Sequence, residues 1–120
     1  MDISKPVIQL CIDGTRAEFE HRLEDARVCY QQAWEARADD YDTCIAAHYV
    51  ARFQDSAEES LRWNQIALEH ADAIKDERVK DFYPSLYLSL GHSYELVGNQ
   101  IEAQRYYDLA AALGVIHQPD

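Results

Sequence analysis

Glycine and proline are scarce in this chain, four and three residues in 120, and 48% of the residues are hydrophobic. That composition excludes a disordered or low-complexity segment. The glycines stand isolated, so no glycine-rich phosphate loop exists. No strand pattern supplies the strand–turn–helix setting of a dinucleotide or methyl-donor site, and no Ser or Cys stands in a nucleophile-elbow context. Cysteine is sparse and odd in number, Cys11, Cys29 and Cys44, with no C-x-x-C pair. Such a set argues against a disulfide framework and for a reducing compartment.

Basic residues are also few. Eleven Lys and Arg face 22 Asp and Glu, a formal net charge of −11. Phosphate backbones and anionic lipid repel such a chain, so nucleic acid and membrane surfaces are not expected partners. No apolar run approaches the roughly 18 residues of a membrane span. The start, MDISKPVIQL, lacks the basic segment and long apolar run of a signal peptide. The expectation is a cytoplasmic protein.

What is present is periodic. Between Pro84 and Leu113, Tyr87, Leu90, Gly91 and Tyr94 stand at the spacing W-x2-L-G-x2-Y, followed by Ala103, Tyr107 and Ala110. This segment resembles a tetratricopeptide repeat, a helix–turn–helix unit of about 34 residues. Gly14 and His48 stand one such length apart, and the step from His48 to Gly91 is nine residues longer, placing an insertion at Lys75–Tyr83. Small residues follow the same register: Ala26 and Ala33, Ser60 and Ala67, Ala103 and Ala110. Between them sit Tyr30, Asn64 and Tyr107.

The resemblance implies an all-α protein, a right-handed α-α superhelix of three units at about 7–40, 41–83 and 84–117, hence about six antiparallel helices in one domain. Residue patterns place these helices at Pro6 to about Glu20, Leu23 to about Arg37, Tyr41 to Phe53 and Ala57 to about Lys75, with the last two flanking Gly98-Asn99. Pro6 suits a first helical turn, where Lys5 would be a poor cap and Ser4 a better one. Ser56 with Glu59 forms a capping box, and Asn99 with Glu102 repeats its spacing. The insertion KDERVKDFY is expected to lengthen the helices on either side.

Cys44 and His48, four apart on one helix, could in principle share a metal. They occupy packing slots of the repeat, and no second Cys/His pair lies near in sequence, so no metal or other cofactor is expected. Carboxylates such as Glu18, Glu20, Asp39, Asp40, Glu58 and Glu59 read as a solvated acidic surface rather than an acid–base pair. No enzymatic activity is expected.

In tetratricopeptide proteins the first helix of each unit lines a concave groove that receives a peptide or a helix. The resemblance implies a groove of Ile8, Cys11, Thr15 and Phe19, then Ile45, Tyr49, Arg52 and Phe53, then Leu88, His92 and Glu95. That lining is mostly apolar, with Arg52 as its firm cation, and suits an amphipathic helix or hydrophobic segment. The Lys, Asn and Arg that clamp carboxylate tails in one subfamily are replaced by Cys11, Thr15, Ala46, Ser85 and Ser89. The closing prolines of the repeats are missing, and the apolar Gly114-Val115-Ile116 follows the last unit. An uncapped repeat end favours association, so a homodimer formed through this end or through the groove is also expected, beside a protein or peptide partner.

Overall fold

The computed structural model describes residues 5–74 and 77–114. Six α-helices follow one another: α1 (Pro6–Phe19), α2 (Leu23–Glu35), α3 (Asp40–Val50), α4 (Ala57–Ala73), α5 (Tyr83–Leu96) and α6 (Gln100–Ala112). Short 3-10 helices at Ala51–Phe53 and Glu77–Phe82 complete the order, and no strand occurs among the described residues. The most extensive packing is α1 on α2, α3 on α4 and α5 on α6; α2 also meets α3, α4 meets α5, and α1 reaches across to α3.

Local chemistry sets the helix ends. Pro6 occupies the first turn of α1, and Lys5 at the cap makes no capping bond. Its ammonium instead reaches Asp39 and Asp42, at 3.2 and 3.1 Å. Ser4 lies outside the described residues. Side-chain oxygens of Asp39, Ser56 and Asn99 accept from the backbone N–H three residues on, closing the starts of α3, α4 and α6. Gly98 ends α5 with φ at +87°, a left-handed geometry open to glycine at little cost. The corresponding α1–α2 turn uses His21, at φ +61°.

One packing device recurs at both ends of the chain. A Cβ added to Gly14 would lie within 3.0 Å of three ring carbons of Tyr30. At Gly91 the same atom would meet the Tyr107 ring at 2.5–3.0 Å. In each pair a tyrosine ring of the second helix therefore packs directly against a glycine of the first, which explains glycine inside a helix despite its propensity cost of about 1 kcal/mol. Tyr30 also stacks on Tyr49 and meets Phe53, with ring centroids at 5.1 and 5.8 Å.

The insertion departs from expectation. It does not lengthen α4, which ends at Ala73 with Ile74 already extended; within its described part, Glu77–Phe82 is a 3-10 helix rather than an added turn of α5. Burial explains the detour. Val79 enters the core with Val7, Ile8 and Ile45, and the Phe82 ring stands edge-on to His48 at 5.0 Å. A second cluster, Cys44, Ala47, Ala67, Ala71 and Leu86, links α3, α4 and α5.

Candidate functional site

A partly polar opening of about 390 Å³ collects residues from α1, α3, α4 and α5. Glu18 comes from α1; His48, Arg52 and Phe53 from α3 and its 3-10 extension; Ser60 and Asn64 from α4; and Ser89, His92, Ser93 and Leu96 from α5. Leu23, at the start of α2, completes the rim. Leu23 is 54% and Leu96 60% exposed, so apolar surface stands beside the polar side chains of this opening.

The interior is organised by one ion pair. Arg52 donates through Nε and Nη2 to the two carboxylate oxygens of Glu18, at 2.8 and 2.7 Å. Two parallel bonds of this kind are the stronger form of an arginine–carboxylate pair. The Tyr30 hydroxyl donates to Glu18 Oε1 at 2.5 Å. Glu18 is held below the usual carboxylate range, chiefly by Arg52 and also by Tyr30, against the opposing effect of burial. Glu18 is thus a half-buried anchor joining the first two helix pairs, a correction to its reading as solvated acidic surface. Arg52 is correspondingly a committed cation.

His48 is the most perturbed group here. Burial, followed by the positive charge of Arg52, pushes its pKa down to about 4. The imidazole is therefore neutral at neutral pH. Its Nδ1 is buried and has no hydrogen-bond partner among the described residues, and the same holds for Asn64 Oδ1. The other end of that amide is fixed: Asn64 Nδ2 donates to Ser93 Oγ at 2.9 Å.

A second opening, about 460 Å³, is predominantly apolar and lies on α1, lined by Ile8, Cys11, Ile12, Thr15, Arg16, Phe19 and Tyr49. Phe19 is 87% exposed. The Thr15 hydroxyl is occupied, donating to the Cys11 carbonyl at 2.9 Å and lying 3.3 Å from the Tyr30 hydroxyl.

The expected groove is thereby divided. Arg52, Phe53 and His92 fall in the polar opening, while Ile8, Cys11, Thr15, Phe19 and Tyr49 fall in the apolar one. Ile8, Cys11 and Ile45 are almost wholly buried, and Ile45 lines neither of these openings. Their side chains follow the α1–α3 contact, which the repeat register alone does not measure. Leu88 is half-buried and lines neither opening. Glu95 is also half-buried, and burial, then the nearby Glu95 carboxylate, raises the Tyr107 pKa to about 12. Sequence reading missed Leu23, Ser60, Asn64, Ser93 and Leu96. The spacing of Glu18 and Arg52, one repeat length and opposite in charge, was the available signal for their pairing.

Cys44 is fully buried and its thiol is pushed up to about 12 by burial, so it stays protonated. Among the described residues no group of three or more His, Cys, Asp or Glu is placed to hold a metal ion. No helix of the described residues is long and apolar enough to cross a membrane. No family model, curated protein or solved structure matches this chain.

Proposed function

We propose that this chain is a small, non-catalytic adaptor of the tetratricopeptide kind, which holds a segment of another protein against the face shared by α1, α3 and α5. The observation that carries this reading is the 390 Å³ opening, to which all three of these helices contribute and around which Leu23 and Leu96 stay exposed. Exposed apolar side chains beside polar ones suit an amphipathic segment, which gains burial on one face and hydrogen bonds on the other. The paired glycine–tyrosine contacts at Gly14/Tyr30 and Gly91/Tyr107 support the repeat reading. Three unpaired cysteines support a reducing, cytoplasmic setting.

Leu23→Glu with Leu96→Glu tests the face, because both side chains are exposed and their replacement leaves the core intact. Partners captured by the wild-type chain from cell extract are expected to be lost with this double variant. Retention of the same partners at the same yield would refute the assignment.

A second reading, self-association through the last helix, is favoured by one feature of α6. Ile101, Leu109 and Leu113 follow one face at spacings of eight and four residues, and Ile101 is 83% exposed. Light scattering across dilution separates the two readings: a dimer abolished by Ile101→Glu supports self-association, and a strict monomer at micromolar concentration ends it.

A further inference from the structure

Most arginines of this chain are engaged. Arg22 pairs with Glu20 and Asp25, Arg27 with Glu24, Arg52 with Glu18 and Arg105 with Glu102. Arg37 lies over the Trp34 ring and Arg78 over the Tyr41 ring. Among the described residues, only the side chains of Arg16 and Arg62 make no ion pair, hydrogen bond or ring contact. Carboxylates are in reach of Arg16 along its own helix. Asp13 stands three residues before it and Glu20 four after, the spacings at which helical charges meet. Glu20 is taken by Arg22, and Asp13 forms no ion pair with Arg16.

Arg16 instead lines the apolar opening of about 460 Å³, a volume within the range of small-molecule sites. Ile12, Arg16 and Phe19 follow one face of α1 at four- and three-residue spacing, and all three are exposed. From Ile12 to Phe19 the stripe runs about 10 Å along the helix axis. Tyr49 of α3, partly exposed, forms the facing wall. The remaining polar groups make no competing demand. The Thr15 hydroxyl already donates to the Cys11 carbonyl. Burial pushes the Cys11 thiol up to about 12, so it stays neutral and repels no anion.

An apolar stripe of this length with one unengaged guanidinium matches a ligand with an apolar body and a single carboxylate. The body removes apolar surface from water, and the guanidinium fork takes both carboxylate oxygens. A neutral ligand leaves Arg16 unpaired, and a cationic one is repelled by it. An acidic protein surface would set many charges against a chain of net charge −11. A lone carboxylate answers first to the nearest cation, because salt screens more distant charges beyond about 8 Å. We propose that the opening on α1 is a binding site for a small monocarboxylic acid with an apolar tail, its carboxylate on Arg16 and its tail across Ile12, Phe19 and Tyr49. This site is separate from the opening assigned to the partner segment, and the two are tested independently.

Octanoate is the probe, titrated at pH 7 into isotope-labelled protein while backbone amide signals are followed by NMR. Octanol and octylammonium, matched in chain length, are the comparisons. Octanoate is expected to shift residues 11–20 and Tyr49 and to bind about fivefold more tightly than octanol, with octylammonium weakest. Arg16→Gln is expected to bring octanoate down to the affinity of octanol and to leave octanol unchanged. Arg62→Gln, which removes the other unengaged arginine, is expected to change neither. Phe19→Ser, at an exposed position, is expected to weaken octanoate and octanol alike.

No response to octanoate, shifts confined to other helices, equal binding of octylammonium, or an octanoate affinity that survives Arg16→Gln would overturn the proposal. The peptide N-acetyl-Ala-Ala-Ile-Leu with a free carboxyl end supplies the same chemistry from a protein tail. Tighter binding of that peptide than of octanoate would assign the opening to a protein C-terminus and overturn the small-acid assignment.

Discussion

Gly14→Ala should destabilise a helix that the same substitution would ordinarily strengthen. In an uncrowded helix interior, replacing glycine by alanine gains about 1 kcal/mol. Here the new methyl falls within 3.0 Å of three carbons of the Tyr30 ring. The ring has little room to retreat, because Tyr49 stacks on it and its hydroxyl is bonded to Glu18. Overpacking of this type costs about 1–3 kcal/mol. The crowding outweighs the propensity gain, and a net loss of about 1 kcal/mol is expected in urea unfolding followed by circular dichroism. In a Tyr30→Leu background, where the ring's Cε1 and Cζ are gone, the same substitution should become stabilising. The two backgrounds should therefore differ by at least about 1 kcal/mol. A Gly14→Ala chain that is more stable than wild type, with no dependence on residue 30, would refute the packing account.

Protonating His48 should oppose folding. Its pKa is about 4 in the folded chain against an ordinary 6.5, so the unfolded chain binds the proton first as pH falls. Its effect is absent above pH 6.5 and grows as pH drops to 4, reaching at most about 3 kcal/mol of lost stability; His48→Gln should remove this part of the pH dependence in matched denaturation series. Arg52→Met leaves Glu18 without its cation and should cost about 1 kcal/mol, since the arginine is half exposed. The exchange Glu18→Arg/Arg52→Glu should recover part of that loss, and the wild-type advantage should shrink in high salt. His21→Gly relieves a left-handed non-glycine residue and should raise stability by about 0.5–1 kcal/mol, read as a higher Tm.

The helices were legible in the sequence because their signals are local. Pro6 sets the first turn of α1, Ser56 and Asn99 cap α4 and α6, and Gly98 makes the left-handed stop after α5. The insertion was misread because its path is decided by distant contacts. Val79 and Phe82 look like continuing helical residues until the core behind them, including Ile45 and His48, is known. The candidate site was legible only in part for the same reason. Arg52, Phe53 and His92 stand where the expected repeat register puts groove residues, whereas Leu23 at a helix start and Asn64 on α4 join the opening from other elements. The Glu18–Arg52 pair required knowing that α1 and α3 lie side by side. Charge alone suggested only a solvated surface.

Hydrogen exchange on the protein alone and with a captured partner tests the binding face most directly. The adaptor account expects slowed exchange at residues 15–24, 48–54 and 89–97, the backbone around the polar opening. Protection confined to residues 100–113, with no change around His48 and Leu96, would contradict it and place the interaction on α6.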